Sequence, residues 1–321
     1  MRPPYDITPK ILQLISSISE KIGEANTLFL DKQSPQLRKQ NKIKTIHSSL
    51  QIEGNTLSED QITALIENKR IIGPQKDITE VVNAIDVYEN LNFLKPFSEK
   101  SFLAAHQTLM KGLIDRPGSY RTSGVGVVKG SEVAHVAPPA HNVPGLMKEL
   151  FQYLKNDEEI SLIKSCVFHY EMEFIHPFLD GNGRMGRLWQ TIILMERYAV
   201  FAFLPFETLI SQGQDEYYRA LAKSDKTGKS TFFIEYMLAI IDSSLGNLLN
   251  TNSQTLTSDQ RIRHFLSLDK NEFTRKDYMD VFKSISSATA SRDLKKAVES
   301  DLFLAKGKGN QMRYFINKIK N

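Results

Sequence analysis

Apolar residues recur at the spacing of an α-helix along most of the chain. Between residues 7 and 30 this spacing places five apolar residues on one helix face: Ile11, Leu12, Ile15, Ile18 and Ile22. The same period returns in further segments, which we predict as helices: 34–52, 58–69, 77–94, 98–114, 145–157, 160–175, 186–198, 215–226 and 230–250. The predicted fold class is therefore mainly α.

Residues 116–144 interrupt this pattern because they are rich in glycine, proline and valine. Three valines precede the turn candidate 129–131 and two follow it, an arrangement typical of a short β-hairpin within a helical domain. A surface loop with some β-propensity explains the same pattern, and the sequence does not decide between the two.

The stretch 249–258 is polar and turn-rich, and we predict a linker there. Three short helical segments follow it, and then two apolar segments around a glycine-rich turn. This order resembles a winged-helix domain, which is a variant of the helix-turn-helix. The prediction has four regions: a helical region 1–95, a core 96–248, the linker 249–258 and a winged-helix-like domain 259–321.

Charge is uneven along the chain, although the net charge is only +4, from 41 Lys and Arg against 37 Asp and Glu. Residues 251–321 hold 14 of the basic and 8 of the acidic residues, which leaves 27 and 29 for the rest. This modest balance leaves DNA binding by the domain 259–321, through phosphate contacts, as one open function. The residues expected to face DNA are Ser291, Arg292, Lys295 and Lys296 in the third helix, and Lys306, Lys308 and Arg313 in the hairpin. Protein contacts are the alternative for this domain.

Cellular location is predicted from cysteine content and hydropathy. Cys166 is the single cysteine, so no intramolecular disulfide can form. We expect no apolar run to be long enough to cross a bilayer, which takes roughly 18 residues. The first ten residues lack the apolar core of a signal peptide. We expect a cytoplasmic protein without a membrane partner.

The stretch IHPFLDGNGRMGRLWQ, residues 175–190, concentrates the chemistry of the chain. Glycines next to a helix N-terminus let backbone N–H groups approach an anion, and Arg184 and Arg187 suit phosphate oxygens. Asp180 would repel a phosphate unless a cation such as Mg²⁺ lies between them. His176 is a side chain suited to general-base catalysis near neutral pH. Together these residues predict phosphoryl or nucleotidyl transfer to a hydroxyl, whereas the alternative is a glycine-rich turn with solvated arginines.

His169, Glu173 and His176 are spaced so that they could share one helix face and bind a transition metal. Pro177 predicts a helix end next to His176, because the residue before a proline is pushed out of the α region. We therefore prefer Asp180, as a ligand of Mg²⁺, for any metal site.

HPFLDGNGR followed by MGR resembles, without gaps, the signature of the Fic family. Residues 125–137 look like the hairpin flap of that family, and the resemblance covers roughly residues 3–245. It implies a Fic-type helical bundle in which 96–248 is the catalytic core. It also implies transfer of AMP from ATP to a Ser, Thr or Tyr hydroxyl of a protein, with release of pyrophosphate.

The resemblance implies a role for each motif residue. His176 would take the proton of the target hydroxyl, and Phe178 would anchor the loop in the core. Asp180 would hold Mg²⁺ against the α- and β-phosphates. Arg184 would contact the phosphates, and Arg187 would hold the γ-phosphate.

The remaining implied roles concern the phosphate cradle, the adenine and the target. Three consecutive residues would cradle the phosphates: Gly181, Asn182 and Gly183. Tyr217 or Tyr218 would lie against the adenine. The flap, with Val127 and Val136, would clamp the target as an added β-strand.

The stretch SLQIEGN, residues 49–55, resembles the inhibitory motif of the same family, with Ser49, Glu53 and Gly54 at the matching positions. A glutamate bound to Arg187 would occupy the space that a γ-phosphate needs. A plain helix C-terminus is the alternative reading. Other functions also remain open: removal of AMP with the help of Glu53, and a DNA-binding regulator that senses nucleotide without turnover. UTP or GTP as donor, self-modification and a homodimer are open as well.

Overall fold

The computed structural model describes residues 3–29, 35–129, 132–155, 158–253, 257–268, 270–282, 285–307 and 312–317. The chain divides into two compact units. The first unit comprises Met1–Ile22 and Gln33–Ser244, and the second comprises Gly23–Lys32 and Leu245–Asn321.

The first unit is built from helices, as the apolar period predicts. Among the described residues, the helices that lie wholly or mainly in this unit are α1 (Pro9–Phe29), α2 (Pro35–Ile52), α3 (Glu59–Ile66), α4 (Gln75–Glu89), α5 (Glu99–Leu109), α6 (Val143–Leu154), α7 (Ser161–Ile175), α8 (Asn182–Met195), α9 (Glu207–Gln212), α10 (Gln214–Thr227) and α11 (Thr231–Ser253). The last residues of α1 and of α11 belong to the second unit. Short 3₁₀ turns lie at Leu91–Phe93, Ala140–Asn142 and Ala199–Ala202. Side-chain caps fix several starts; Ser58 forms a capping box with Gln61 at α3, and Ser98 caps α5.

The core of this unit lies between α7 and α8, which pack along each other. Phe102, Phe168 and Trp189 meet edge to face there, at centroid distances of 5.0–6.0 Å. The Trp189 indole donates to the Pro96 carbonyl at 2.9 Å, so its buried N–H is satisfied. This packing makes α7 and α8 a rigid support for the loop that joins them.

One expectation about α1 is wrong. Ile11, Ile18 and Ile22 are buried, whereas Leu12 is 58% exposed. Successive helical residues are 100° apart, so Leu12 lies about 90° from the centre of the stripe formed by the isoleucines.

The hairpin predicted within 116–144 is present. Strands β1 (Gly126–Lys129) and β2 (Glu132–Val136) pair antiparallel, with Val127 opposite His135 and Gly126 opposite Val136. The register shifts between Val127 and Val128. Residues 130 and 131 of the predicted turn lie outside the described residues.

Helix α11 corrects the expectation about apolar runs. Its segment Thr231–Asn250 is long and apolar enough to cross a membrane by length and composition, and half of it is buried within the protein. Phe233, Met237 and Ile241 are among its fully buried side chains. A core helix passes the same test of length and composition, so the segment gives little support to a membrane location.

The second unit follows the predicted order of three helices and a hairpin. Its described elements are α12 (Ser258–Ser267), β3 (Glu272–Phe273), α13 (Arg275–Val281), α14 (Ser287–Glu299), β4 (Phe303–Lys306) and β5 (Arg313–Ile316). The strands form an antiparallel sheet in the order β3-β5-β4 around a core that includes Phe265, Tyr278 and Leu294. The two-residue strand β3 was not predicted, and the winged-helix assignment stays a prediction.

The ends of two helices lie within the segment predicted as a linker. Helix α11 continues to Ser253, and Thr257 caps α12 through a capping box with Gln260. Residues 254–256 lie outside the described residues, as does Lys308 of the predicted DNA-facing set.

Candidate active site

The loop between α7 and α8 begins with a sharp reversal at His176. Helix α7 ends at Ile175, and His176 adopts the left-handed conformation, with φ 50° and ψ 59°. Residues other than glycine seldom adopt this conformation, and where they do the surrounding structure must hold it. The His176 N–H donates to the Met172 carbonyl at 2.9 Å and closes the helix. The reversal turns the chain out of α7 toward the next loop.

Arg121 holds the other side of this reversal. Its side chain is buried, and its Nε donates to the His176 carbonyl at 2.8 Å. The same guanidinium donates to the carbonyls of Ser123 and Pro138, which lie before and after the hairpin. Among its described contacts Arg121 has no carboxylate partner, and burial lowers its pKa. One residue therefore joins the base of the hairpin to the backbone of His176.

The orientation of the His176 ring suits a proton acceptor. Its Nδ1 lies 3.4 Å from the Glu173 carbonyl oxygen. A carbonyl oxygen can only accept, so this contact favours the tautomer with the proton on Nδ1. The lone pair is then on Nε2, as a general base requires.

The loop itself is pinned by a reciprocal pair of hydrogen bonds. The Phe178 N–H donates to Asn182 Oδ1, and Asn182 Nδ2 donates to the Phe178 carbonyl, both at 2.9 Å. The Phe178 ring is fully buried and stacks on Phe102 at 5.4 Å. Phe178 thus lies in the core, as the resemblance implied, and Asn182 holds the loop with its side chain.

His106 supports the loop from α5. Its ring stacks on Phe178 at 3.5 Å, its Nδ1 accepts from the Gly118 N–H, and its Nε2 lies 3.0 Å from the Asp180 carbonyl. These two bonds fix the neutral tautomer with the proton on Nε2, and burial lowers the pKa of His106 to about 4. The ring is therefore a neutral brace rather than an acid or base.

Gly181 completes the turn into α8. It adopts a left-handed φ of 84°, and a Cβ there would lie 2.7 Å from Met110 Sδ. The first N–H groups of α8 have no carbonyl partner within the helix, and the helix dipole favours an anion at this end. The turn through Gly181, Asn182 and Gly183 thus places the N-terminus of α8 next to the loop.

Asp180 and Arg184 form an ion pair over the same turn. Asp180 Oδ1 accepts from the Gly181 N–H at 2.6 Å and from Arg184 Nη2 at 2.9 Å. The Asp180 side chain is 48% exposed, and no described residue donates to its Oδ2. Arg184 is buried, and its Nη1 donates to Glu80 at 3.0 Å. The buried Nε of Arg184 has no partner among the described residues.

Arg187 is bound by the segment that resembles the inhibitory motif. Its Nη2 donates to Glu53 Oε1 at 2.7 Å and to the Ser49 carbonyl at 2.9 Å, and its Nε donates to Ser49 Oγ at 3.2 Å. Burial lowers the pKa of Arg187, but the Glu53 carboxylate together with Tyr217 and Glu173 outweighs this effect, and the net pKa is raised. The two regions are 134 residues apart in sequence and form a direct ion pair.

Glu53 follows the last residue of α2. Gly54 is left-handed, with φ 88°, and the Asn55 N–H returns to the Leu50 carbonyl, as at a glycine C-cap. The stretch is therefore a helix C-terminus whose glutamate also binds Arg187, and its inhibitory role stays a prediction. A Cβ on Gly183 would collide with the Glu53 carboxylate, which places Glu53 against the cradle.

The two tyrosines of α10 have different environments. Tyr217 is fully buried, and its hydroxyl lies 3.0 Å from His169 Nε2 and 3.4 Å from Glu173. This burial does not fit a role against an adenine. Tyr218 is half-buried and contacts Gln214, so the predicted adenine role falls to Tyr218 and stays a prediction.

The same contacts weaken the transition-metal alternative. His169 Nδ1 bonds Gln190 at 2.7 Å, so both of its ring nitrogens are engaged. Burial lowers the pKa of His169 to about 3. No group of three or more metal-binding side chains occurs among the described residues. His169 is a structural residue between α7, α8 and α10.

A model of the Fic/DOC family matches residues 96–194, which include the whole loop. A Fic family protein from Desulfovibrio desulfuricans G20, known from its crystal structure, is 40% identical to the chain. The two chains align over 99% of each, with a TM-score of 0.76. The chain belongs to the Fic/DOC family.

Two curated relatives carry names that state an activity. A probable protein adenylyltransferase of Aquifex aeolicus is 32% identical over 46% of each chain. A protein adenylyltransferase of Caenorhabditis briggsae is 28% identical over 67% of this chain and 45% of its own length. The chain spans about half the length of the curated relatives it matches. Fic-1 of Caenorhabditis elegans, at 21% identity and a TM-score of 0.63, shares the fold.

The structure brings the predicted residues of this Fic loop to one place and adds four that the sequence did not indicate: Glu80, His106, Arg121 and Asn55. Glu80 and His106 are single polar residues within apolar helical patterns, and Asn55 follows the end of one. Arg121 lies four residues before the segment that resembles the flap, and this position was the one available signal. Val127 and Val136 lie in the paired strands, as predicted, and their target-binding role stays a prediction.

Proposed function

We propose that this protein transfers AMP from ATP to a Ser, Thr or Tyr hydroxyl of a protein target. The observation that carries the proposal is the segment from His176 to Arg187, in which a loop leads into α8. It combines a candidate general base, a helix N-terminus and two arginines. The names of the Aquifex aeolicus and Caenorhabditis briggsae relatives support the same activity.

The proposed reaction uses His176 as the base. The hydroxyl oxygen of the target attacks the α-phosphorus, and Nε2 of His176 takes the hydroxyl proton. The bond from the α-phosphorus to the oxygen bridging it to the β-phosphate breaks, and pyrophosphate leaves. The N–H groups at the start of α8 would stabilise the charge on the α-phosphate.

Asp180 fits a Mg²⁺ site that is completed by substrate phosphates. Its Oδ1 is held by Gly181 and Arg184, and because its side chain is about half exposed, Oδ2 can face a cation. Mg²⁺ commonly binds one or two carboxylates together with phosphates and water. When bound, the ion would neutralise negative charge on the phosphates.

The hairpin is proposed to bind the target segment. Strands β1 and β2 pair with each other, and an added strand can hydrogen-bond along an open edge of such a pair. Arg121 supports this role, because it links both ends of the hairpin to the backbone of His176. A target strand along the hairpin would then present its hydroxyl near the base.

Glu53 is proposed to inhibit the reaction. Its carboxylate occupies Arg187, which the γ-phosphate of ATP would need. ATP would bind without that contact, so its α-phosphate would be misaligned for attack.

The proposal is tested by transfer of label from ATP carrying a labelled α-phosphate, in the Glu53→Gly background. We expect His176→Ala to abolish protein labelling while binding of ATP, measured by calorimetry, persists. The exposed His141 provides a matched control, and His141→Ala should label like the parent. Labelling that survives His176→Ala would show that the base is assigned wrongly. Absence of labelling with every nucleoside triphosphate would reject the activity.

DNA binding by the second unit is a separate proposal. Arg292 and Lys295 of α14 are exposed, although Lys295 lies 3.8 Å from Glu299, and Lys296 forms an ion pair with Asp259. The full chain should shift duplex DNA at roughly 50 mM salt, and the shift should weaken as salt rises. If Arg292→Ala and Lys295→Ala together leave the shift unchanged, α14 does not contact DNA.

A further inference from the structure

Glu80 is a buried carboxylate in α4 whose two oxygens serve different partners. Its Oε1 accepts from Arg184 Nη1 at 3.0 Å, and its Oε2 accepts from Asn55 Nδ2 at 2.8 Å. Glu80 is 5% exposed, and both partners are buried. Lys76 lies 3.9 Å from Oε1, but its side chain is mostly in solvent. A carboxylate removed from water in this way needs both hydrogen bonds.

The first oxygen acts on the candidate cation ligand through Arg184. Arg184 donates with Nη1 to Glu80 and with Nη2 to Asp180 Oδ1, so its planar guanidinium joins the two carboxylates. Asp180 has one oxygen fixed by this contact and by the Gly181 N–H. Without the negative charge of Glu80, Arg184 would bind Asp180 more strongly and reduce the charge available to a cation.

The second oxygen acts on the turn that follows Glu53. Asn55 donates to Glu80 and to the Asp77 carbonyl at 3.1 Å, and its Oδ1 accepts from the Leu57 N–H. Thr56 adds two bonds to the Asp77 carboxylate. Residues 55–57 are thereby fixed to α4, and Glu53 lies two residues before Asn55. Asn55 therefore helps to hold Glu53 over Gly183, and Asn55 does so by bonding the same Glu80 carboxylate that binds Arg184.

We propose that Glu80 is a positioning residue that orients Asp180 through Arg184 and fixes the turn after Glu53 through Asn55. This inference rests on the proposed function, because it assigns Asp180 to Mg²⁺ and Glu53 to inhibition. Glu80 contacts no reacting atom. Glu80 thereby couples two segments that belong to different helices, the catalytic loop and the inhibitory segment.

The first test separates the Arg184 contact from chemistry. In the Glu53→Gly background, Glu80→Gln should raise the Mg²⁺ concentration for half-maximal transfer roughly tenfold, as loss of an outer ligand partner does. The value of kcat should change by less than about twofold, because His176 is untouched. Asn83 lies one turn along α4, is also buried and bonds the carbonyls of Leu109 and Lys111. Asn83→Ala is therefore the control for general loosening of α4.

The second test separates the Asn55 contact. With Glu53 present, Asn55→Ala should raise the transfer rate several-fold, because the turn is released from α4. In the Glu53→Gly background the same substitution should raise the rate no further, because the inhibitory carboxylate is gone. A rise that persists in that background would show that Asn55 acts on catalysis directly and would overturn this half of the proposal.

A binding measurement distinguishes failure of this inference from failure of the proposed function. In protein carrying Glu53→Gly and His176→Ala, MgATP affinity is measured by calorimetry without turnover. Glu80→Gln should weaken it roughly tenfold, and Asn83→Ala should not. Equal affinities, with melting temperatures matched, would reject the positioning role. Absence of transfer in the Glu53→Gly parent, with the expected loss of affinity, would reject the activity and retain the positioning role.

Discussion

Two arginine–carboxylate pairs, one taken from each unit, show how similar contacts can serve different ends. In the second unit, Arg261 binds Asp293 through two nitrogens and both carboxylate oxygens, at 2.5 and 3.0 Å. Both side chains are at most 8% exposed, and Tyr278 adds a hydroxyl contact at 3.3 Å. In the first unit, Arg187 binds one oxygen of Glu53, whose side chain is 28% exposed.

The difference in burial between Asp293 and Glu53 distinguishes a contact that stabilises the fold from one that can be released. If Asp293 separated from Arg261, both charges would stay buried in an apolar core without a partner, which is strongly unfavourable. Glu53 can leave toward solvent, and Arg187 then keeps its bonds to the carbonyl and hydroxyl of Ser49. A phosphate could replace the departing carboxylate, because both are anions that a guanidinium binds in the same way. The contact between Glu53 and Arg187, which we propose to be inhibitory, is therefore one that a phosphate can replace.

The largest expected effect is on the structural pair. Asp293→Ala leaves the buried Arg261 without its counter-charge, so the free energy of unfolding should fall by about 3–5 kcal/mol. Chemical denaturation of the full chain, followed on the transition of the second unit, measures this change. The exposed pair of Asp259 with Lys296 is the control, since Asp259→Ala should cost less than about 1 kcal/mol. Equal losses in the two variants would show that burial does not distinguish the pairs.

Glu207 of α9 is a further buried carboxyl, and it sharpens the comparison because it has no ion-pair partner among the described residues. Burial raises its pKa to about 8, although its own backbone N–H, the charge of Arg187 and the hydroxyls of Thr45 and Thr191 act in the opposite direction. A carboxyl with a raised folded-state pKa holds its proton in the folded protein and loses it in the unfolded chain. Its presence therefore costs stability that is absent below about pH 4.5 and grows as the pH rises toward 8.

We expect Glu207→Gln to stabilise the protein by a few kcal/mol at pH 8 and to change little at pH 4, because glutamine carries no proton to lose. Thermal unfolding of wild type and variant across this range tests the prediction. Glu89→Gln, at an exposed position of α4, is the control and should not give this gain at pH 8. A gain that is the same at every pH would mean that the effect comes from packing and not from ionisation.

The next effect concerns the releasable pair. Glu53→Gly should raise AMP transfer roughly tenfold to hundredfold, which corresponds to the 1.5–3 kcal/mol of a hydrogen bond to a charged group. Labelled ATP measures the forward rate, and the same variant incubated with AMP-modified protein tests removal of AMP. A rise in transfer with loss of removal would assign Glu53 to both reactions. Unchanged transfer in a folded variant would reject inhibition by Glu53.

The sequence was sufficient for elements whose signal is continuous along the chain. The helices follow from apolar period, and the loop from His176 to Arg187 follows from one unbroken motif. Glu80 and His106 could not be identified, because each makes contacts with residues at least 25 positions away that no local pattern records. The same limit applies to β3, since its two residues form a strand only by pairing with β5.

The two tyrosines of α10 show a prediction that helix phase could have refined. Tyr217, Leu221 and Ser224 are spaced to share one face, and Tyr217 and Ser224 are buried. Tyr218 lies 100° away from Tyr217 and is half-buried. Adjacent identical residues are therefore distinguished by their position around the helix and not by their chemistry.

The smallest expected effect concerns Ser49, which holds Arg187 through its side chain and its backbone. Ser49→Ala removes the 3.2 Å bond from Arg187 Nε and keeps the 2.9 Å bond to the carbonyl. The loss of one such bond is worth about 1 kcal/mol, so Arg187 should be less well ordered against Glu53 and the basal transfer rate should rise by less than about fivefold. Ser48→Ala is the control, because Ser48 contacts Thr208 and not Arg187. If Ser49→Ala raises transfer as much as Glu53→Gly, then Ser49 and not the Glu53 carboxylate holds Arg187 in the inhibited arrangement.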